Sequence, residues 1–276
     1  MKKILTVFSI LALLAGTYLF PFSNASSQET KGLSQDNGII LFMQGDVKVK
    51  SEKSDAWLDA KKGMILLKGD SLKTGPDSWA EIGFGKDFAN SVRVQENTHV
   101  IFTDLGATKI NLIQGELRSL VEKLSKNRIF EIKTAVSVCG VRGTGWDMVT
   151  NGKTAEAYVY ENIVFFSGLG QGLSSESVIL DAGKMGILSD PQKAIAIEDL
   201  PVEKMYDWQK WKKDFIERRG AGTGPSPQDR ASSAEEVQAA TEAGMEKVKP
   251  VISDINDERD IDRRLESETT TNHGYE

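Results

Sequence analysis

The chain has very little cysteine and histidine. Its 276 residues include one cysteine, Cys139, and two histidines, His99 and His273. A single cysteine cannot form an internal disulfide, so the stability of the fold must come from a packed core. Two histidines, one of them close to the C-terminus, cannot supply a serine–histidine–acid, cysteine–histidine or metal-ligand set. The sequence therefore predicts no catalytic residues, no metal site and no cofactor, although spacing alone cannot test a pair of hydrolytic carboxylates.

Cys139 and His99 both have a structural interpretation. Cys139 stands beside Val138 and Val141 in a predicted strand, where a free cysteine usually behaves as a small buried hydrophobe. Pairing with a second chain is the alternative for an odd thiol in an exported protein. His99 lies in an alternating strand pattern, where a lone histidine is more often a surface or satisfied core residue than a ligand.

The sequence also lacks a concentrated basic segment. It has 34 lysines and arginines against 40 aspartates and glutamates, which gives a net charge of −6. Residues 221–276 alone carry 13 acidic and 6 basic side chains. The remaining body is close to neutral, and this argues against nucleic acid as a partner, because nucleic-acid binding needs a concentrated basic face.

The longest hydrophobic run lies at the N-terminus, at residues 4–20. Two lysines precede it, and a small-x-small sequence that ends at Ala25 follows it. This order is typical of a bacterial export signal at residues 1–25, cleaved after Ala25. The alternative is an uncleaved anchor, because 17 residues lie at the low edge of a membrane-spanning length. We therefore expect a periplasmic or extracellular protein, with a polar, flexible tether at residues 26–37 and no membrane contact beyond the signal.

Short alternating patterns broken by turn residues fill residues 38–200, which predicts an all-β domain. Residues 117–130 are ambiguous, because they fit either a short amphipathic helix or a strand followed by a basic turn. Two short sequence motifs 70 residues apart match in pattern, ILFMQGDV at residues 40–47 and INLIQGEL at residues 110–117. Such recurrence favours stacked repeat units. Chance is the alternative, since an apolar-x-Gly-acid sequence is a common turn.

One helix is predicted at residues 201–220. Pro201 is suited to its start and Gly220 to its end. Its apolar stripe consists of Val202, Met205, Trp208, Trp211 or Lys212, and Phe215. We expect this stripe to dock on the β domain, and a helix lying on a membrane surface is the alternative. The acidic segment at residues 221–276 has the composition of a disordered tail.

The central segment, residues 131–149, predicts a strand, a tight corner and a second strand. Gly140 and Gly143 flank Arg142 at the corner, where glycine permits backbone geometry that a Cβ would forbid. We expect Arg142 to fix the turn through hydrogen bonds to carbonyls or a buried carboxylate. Contact with an anion or a partner protein is the alternative interpretation.

Several short motifs from about residue 38 to residue 188 resemble those of the FecR domain family. They are Gln44-Gly45-Asp46-Val47, Gly69-Asp70-Ser71-Leu72 with Thr74-Gly75, Gln114-Gly115-Glu116-Leu117, and Val141-Arg142-Gly143-Thr144 with Gly140 before it and Trp146 after it. From this resemblance we take Gly69, Asp70, Thr74, Gly75, Gly140, Arg142, Gly143 and Thr144 as family-signature residues with a structural role. None of them is expected to be catalytic.

The resemblance implies an extracytoplasmic β fold of stacked, solenoid-like hairpins. The best understood members are single-pass inner-membrane regulators, in which a cytoplasmic N-terminal segment controls a sigma factor. Here only three residues precede the hydrophobic run, so we expect no sigma-binding segment. The predicted fold class is all-β, with stacked hairpins in a solenoid-like or sandwich-like body, one C-terminal amphipathic helix and a disordered tail.

The predicted function is a non-enzymatic binding or interaction module of the bacterial envelope, with an envelope protein or a glycan as partner. The alternative is a sensor or regulator of transmembrane signalling that acts through a separate membrane protein. An enzyme is the weakest hypothesis, because the residues for known catalytic sets are missing.

Overall fold

The computed structural model of this chain describes residues 37–222, apart from 86–87, 107, 123, 125–127, 171–176 and 191, together with residues 225–226, 229 and 239. The predicted export signal, nearly all of the predicted tether and nearly all of the predicted tail lie outside these residues. Within the described ranges, no helix combines the length and the hydropathy that a membrane span requires.

The described residues form seventeen strands and one helix. The strands are β1 (Gly38–Gln44), β2 (Val47–Lys50), β3 (Leu58–Asp59), β4 (Ile65–Leu66), β5 (Ser71–Thr74), β6 (Trp79–Phe84), β7 (Asn90–Val94), β8 (His99–Asp104), β9 (Lys109–Val121), β10 (Phe130–Lys133), β11 (Ser137–Val141), β12 (Gly145–Thr150), β13 (Ala155–Val159), β14 (Ile163–Gly168), β15 (Ser177–Asp181), β16 (Lys184–Leu188) and β17 (Ala196–Asp199). The helix α1 (Val202–Gly220) follows them. The prediction of an all-β chain with one C-terminal helix is confirmed.

The strands form two ladders that share β9. Sheet A runs in the order β4, β1, β6, β7, β9, β12, β13, β16, β17. Sheet B runs in the order β3, β2, β5, β8, β9, β10, β11, β14, β15. All of these neighbours are antiparallel except β9 and β10. In the described part of the chain both ladders stay open at their ends, so the body is a sandwich and not a closed barrel.

Hairpins in the second half of the chain alternate between the two sheets. The pair β10–β11 lies in sheet B, β12–β13 in sheet A, β14–β15 in sheet B and β16–β17 in sheet A. Turns lie at residues 161–162 and 181–183, with positive φ at Asn162 and Gly183. Each connects one sheet to the other, so the segment of residues 177–188 does not form a hairpin of its own. Its two strands pair with β14 and with the short, exposed β17, which the sequence pattern missed.

The structure also settles the ambiguous segment at residues 117–130 and shows one turn that the sequence patterns did not predict. Residues 117–121 continue β9, so the strand interpretation of that segment is the correct one. The segment before the glycine corner contains a further turn, where Thr134 N–H donates to the Ser137 carbonyl at 2.8 Å. The Thr134 hydroxyl also accepts from the Ser137 N–H at 2.9 Å. Because a threonine hydroxyl can replace a backbone partner, this turn needs no glycine and left no clear signal in the sequence.

The main core lies between the two sheets. Phe84 of sheet A packs 6.4 Å from Phe102 of sheet B and 6.1 Å from Phe130, and Phe130 packs edge-on against Trp146 at 5.4 Å between ring centroids. Full burial of each such ring stabilises the folded state by about 1.5–3 kcal/mol relative to leaving it exposed. Cys139 is fully buried in the same core, and burial raises the pKa of its thiol. The interpretation of Cys139 as a small buried hydrophobe is confirmed.

The two matching motifs occupy equivalent places, because each crosses from one sheet to the other. Gly45 (φ 77°) lies between β1 and β2, and Gly115 (φ 100°) bends β9 at its middle. After Gly45, the Asp46 N–H donates to the Ser78 hydroxyl at 2.8 Å. After Gly115, the Glu116 N–H donates in the same way to the Thr98 hydroxyl at 3.0 Å. The two motifs therefore form the same local structure, which supports a true internal repeat.

The helix α1 docks on the outer face of sheet A and forms a second core there. Trp208, Trp211 and Phe215 are buried, and Trp208 stacks on Tyr160 at 5.0 Å between ring centroids. Gly145 makes room for this contact, because a Cβ at that position would lie 2.8 Å from Trp208 Cη2. The docking interpretation of the apolar stripe is confirmed for these three residues. Val202, in the first turn, is 78% exposed and takes no part in it.

Gly115→Ala tests the bend in β9. The substitution places a Cβ in a positive-φ conformation, which costs about 1–3 kcal/mol, and it also brings that Cβ to 2.6 Å from Thr98 Cα. Gly183→Ala is the matched control, because Gly183 has a similar φ of 83° and open space around it. Urea unfolding should show a larger loss of stability for Gly115→Ala. Equal losses in the two variants would contradict the close packing of β9 on Thr98.

Candidate interaction surface around Arg142

The first group of signature residues lies at the two ends of β5 and stabilises turns. The buried Asp70 carboxylate accepts the Leu67 N–H at 2.8 Å and the Glu52 N–H at 3.3 Å. Burial nevertheless raises the pKa of Asp70 above its ordinary value. The Thr74 hydroxyl accepts the Thr98 N–H at 3.0 Å. Gly69 and Gly75 flank the strand, and the Gly75 N–H donates to the Asp46 carbonyl at 2.9 Å.

The second group lies four strands away along sheet B, so the signature residues do not form one site. Gly140 is inside β11, and Arg142, Gly143 and Thr144 form the connection to β12. The Thr144 hydroxyl donates to the Glu161 carbonyl, and the Asn162 side chain donates to the Gly143 carbonyl at 2.9 Å. These two bonds hold the corner.

The side chain of Arg142 does not make the contacts that its place in the corner led us to expect. Its side chain is exposed, and among the described residues it makes no hydrogen bond and no ion pair. The interpretation of Arg142 as the residue that fixes the turn is therefore wrong in this structure. The physical reason is that Thr144 and Asn162 already satisfy the corner, so the guanidinium extends into solvent.

An exposed apolar depression lies beside Arg142 on the outer face of sheet B, and we call it the Arg142 surface. It has a volume of about 780 Å³ and is lined by Ile129, Glu131, Val138, Gly140, Val141, Arg142, Gly143, Ile163, Phe165 and Ser167. Its large side chains are strongly exposed, at 45% for Ile129, 42% for Ile163 and 43% for Phe165. Contiguous exposed apolar area of this kind is typical of binding sites on soluble proteins.

Gly140 creates the depression. It lies directly opposite Phe165 of β14 and Glu131 of β10. A Cβ at residue 140 would make an ordinary van der Waals contact with Ile129, 3.6 Å away, so the expectation that a Cβ is forbidden at Gly140 is wrong. The missing side chain thus leaves a notch between the Phe165 ring and Ile129. An apolar side chain of another protein could fill this notch while a carboxylate pairs with Arg142.

A second arrangement, which the sequence patterns did not reveal, is a row of charged residues buried under α1. Glu81, Arg93, Arg118 and Asp147 lie directly opposite one another on four successive strands of sheet A. Arg118 donates three hydrogen bonds to Asp147, at 2.9, 3.1 and 3.2 Å, and both residues are buried. Arg93 pairs with the fully buried Glu81 at 3.2 Å. The charges alternate only in part, because the two arginines are neighbours.

The helix completes the pairing of this row. Trp211 donates its indole N–H to Glu81 at 2.8 Å, and Arg218 binds the same carboxylate at 2.7 Å. Asp207 pairs with Arg118 at 2.9 Å. Burial alone would lower the pKa of Arg118, but the attraction of Asp147 and of its other anionic neighbours raises it above the ordinary value. The described residues contain no group of three or more histidine, cysteine or acidic side chains placed to hold a metal ion.

One family model, described as FecR protein, matches residues 70–165. No curated protein sequence matches the chain. Two crystal structures of a candidate anti-sigma factor from Parabacteroides distasonis ATCC 8503 are similar in part. One, at 1.65 Å resolution, has 12% identity and a TM-score of 0.42 over 50% of this chain and 64% of that one. The other, at 2.50 Å, has 13% identity and a TM-score of 0.33 over 59% and 64%. The chain thus spans less than two thirds of these structures, and at such TM-scores they carry no function over to it.

Asp147→Ala tests the buried charged row. Removal of one partner leaves the Arg118 guanidinium buried without its main counter-ion, so we expect a loss of about 3–5 kcal/mol in the free energy of unfolding. Asp199→Ala is the control, because Asp199 pairs with Lys184 at 2.6 Å while both side chains are largely exposed. Its unfolding midpoint in urea should stay close to that of the unmodified chain. Equal midpoints for the two variants would contradict a structural role of the row.

Glu116→Gln tests the electrostatics at the edge of the row. Burial, and then the nearby Asp147, raise the pKa of Glu116 above its ordinary value of 4.5. The folded state therefore binds more protons than the unfolded state, and the contribution of Glu116 to stability is full below pH 4.5 and is lost as the pH rises through the folded pKa. Urea unfolding from about pH 4 to pH 7 should show a smaller decline for Glu116→Gln than for the unmodified chain. A variant whose stability difference is the same at every pH would contradict this shift.

Proposed function

We propose that this chain, which carries a FecR domain at residues 70–165, is a sensor or regulator of signalling at the cell envelope that acts through a separate membrane protein. The Arg142 surface is the contact site for that protein in this proposal. One observation supports it most directly. Nine of the ten residues that line the surface, all except Ser167, lie inside the segment that matches the FecR family. The helix α1 lies wholly outside that segment, whereas the four residues of the charged row lie inside it.

The chemistry of the Arg142 surface suits a protein partner. It offers a few large apolar side chains, a notch at Gly140, the unpaired cation of Arg142 and the carboxylate of Glu131. Aromatic and arginine anchors of this kind carry most of the binding energy in protein interfaces. It offers no nucleophile with an adjacent base. The role we assign is therefore recognition, without a chemical reaction.

A binding module without a signalling role is the second candidate. A polar groove on the opposite side of the molecule, described below, favours it, because that groove has room for a small ligand. The two candidates differ in what meets the Arg142 surface. A regulator must contact a membrane signalling protein there, whereas a simple binding module need not.

The proposed site of action is outside the cytoplasm, which requires export. If residues 1–25 are a cleaved signal, the mature protein should begin at Ser26, and N-terminal sequencing of protein recovered from the envelope fraction measures this directly. Ala25→Leu should block cleavage, because signal cleavage needs a small residue at that position. Recovery of the protein from the cytosol with Met1 in place would contradict the proposed location.

Site-specific photo-crosslinking in the source bacterium tests the contact site. A photoreactive phenylalanine analogue at position 165 should capture a membrane-bound component of sigma-factor signalling. The same analogue at position 206 is the control, because Tyr206 is a 69% exposed aromatic residue on α1, away from the Arg142 surface. Capture at position 165 alone supports the proposal. Equal capture at both positions, or a product at position 165 with no signalling component, would overturn it.

Arg142→Glu adds a matched electrostatic test. Reversal of the exposed cation should reduce the crosslink at position 165 at least about tenfold if a partner carboxylate pairs with it. Lys153→Glu is the control, because Lys153 is also exposed but lies in the turn between β12 and β13. Thermal unfolding should show both variants folded. A crosslink that survives Arg142→Glu unchanged would remove Arg142 from the contact.

A further inference from the structure

A groove crosses the outer face of sheet A beside the first turns of α1. Its volume is about 870 Å³, which falls within the range of about 300–1,000 Å³ typical of ligand sites. Gln44 lies opposite Trp79 on its floor, and Glu116 lies opposite Val149. The N-terminal half of α1 forms one wall, and the turns at one end of sheet A form the other. We call it the amide groove, after Gln44, Gln95, Asn97, Gln114 and Asn151, which line it together with Trp79.

Carboxamide side chains converge here from four places in the chain. Gln44 ends β1, Gln95 and Asn97 lie in the turn after β7, Gln114 precedes the bend of β9, and Asn151 follows β12. Each carboxamide carries two N–H donors and an oxygen acceptor. The side chains of Gln44, Asn97 and Gln114 make no hydrogen bond to the described part of the chain, so their donors and acceptors are available to a ligand.

The charges of the amide groove disfavour an anionic ligand. Five carboxylates and three cations line it, which gives a net charge of −2 among the described residues. Each cation already has a carboxylate partner: Arg93 pairs with Glu81 at 3.2 Å, Arg118 with Asp147 at 2.9 Å and Lys204 with Glu116 at 3.4 Å. A phosphate or sulfate group would therefore find no free cation and would meet excess negative charge.

The amide groove also lacks the features that hold a peptide. Trp79 and Val149 are the only large apolar side chains in its described lining, so it has no row of pockets for apolar anchors. It lies on the face of sheet A and not at an edge, so a peptide cannot extend the sheet there by backbone pairing. A polar ligand with many hydroxyl groups makes better use of clustered carboxamides, because each hydroxyl both donates and accepts.

We propose that the amide groove binds an uncharged oligosaccharide. The ring of Trp79 supplies an apolar surface for one face of a sugar ring, and the carboxamides bind the hydroxyl groups around its edge. The same chemistry is offered by free oligosaccharides and by the glycan chains of an envelope polysaccharide. This inference goes beyond the proposed signalling role and does not depend on it.

Calorimetric titration of the purified chain with chitotetraose, cellotetraose and maltotetraose tests the proposal. At least one of these neutral tetrasaccharides should bind saturably, and a sulfated heparin tetrasaccharide should bind at least about tenfold more weakly. Co-sedimentation with purified cell-wall glycan, with and without the free tetrasaccharide as competitor, distinguishes a polysaccharide target from a free sugar. No saturable binding of any neutral tetrasaccharide, or equal binding of the sulfated one, would overturn the proposal.

Matched variants assign the binding to the groove. Trp79→Ala should weaken binding at least about tenfold, whereas Trp57→Ala, a partly exposed tryptophan outside the groove, should not. Because Arg93 stacks on Trp79 at 4.1 Å and the variant can lose stability, the double variant Gln44→Ala with Gln114→Ala provides a second test on exposed residues. Gln209→Ala, on the exposed side of α1, is its control. Unchanged affinity in both groove variants would place the sugar elsewhere.

These variants also separate this proposal from the proposed function. The double variant should lose the oligosaccharide and keep the crosslink at position 165, whereas Arg142→Glu should do the reverse. Loss of both activities in a folded double variant would show that the two surfaces are not independent, and it would overturn the assignment of separate roles.

Discussion

Strand β9 is the constraint on which the rest of the structure depends. It is the one strand, among those described, that belongs to both sheets, with its first half in sheet B and its second half in sheet A. The change of sheet requires a bend, and Gly115 provides it where any side chain would overlap Thr98. Because the bend sets the register of β7 and β12 on either side, it also decides which residues face the inner core and which face α1.

The outer face of sheet A shows what this register produces. Arg118 on β9 meets Arg93 on one side and Asp147 on the other, so two like charges are neighbours in a buried row. Such an arrangement is tolerated only because carboxylates from sheet A and from α1 surround it. The tryptophans of α1 then cover the row with apolar surface. The helix is therefore held both by ion pairs with the row and by burial of its apolar side chains. The amide groove is the part of the outer face of sheet A that the helix does not cover.

The sequence predicted the fold well where the information was local. The alternating patterns identified most strands, and residues 201–220 identified the helix, because Pro201, Gly220 and the tryptophan spacing are all local signals. It failed at β17 and at the turn after Thr134, where a short exposed strand and a hydroxyl-based turn leave little pattern. The FecR motifs singled out Gly140 and Arg142, but they could not show that Gly140 lies inside β11 or that Thr144 and Asn162 hold the corner. Nor could they show the row of Glu81, Arg93, Arg118 and Asp147, because that row depends on strand register over many residues.

The alternation of hairpins between the sheets has a consequence for assembly. Each hairpin of the second half pairs with elements made shortly before it, so the sandwich can grow layer by layer as the polypeptide is synthesised, with short loops to close. The helix is the exception, because Phe215 in α1 packs against Phe42 in β1, at the opposite end of the sequence. This contact has to wait until all the layers exist. The helix therefore completes the fold last. A chain that lacks the helix would leave the charged row uncovered, and its sheets would be more open to proteolysis.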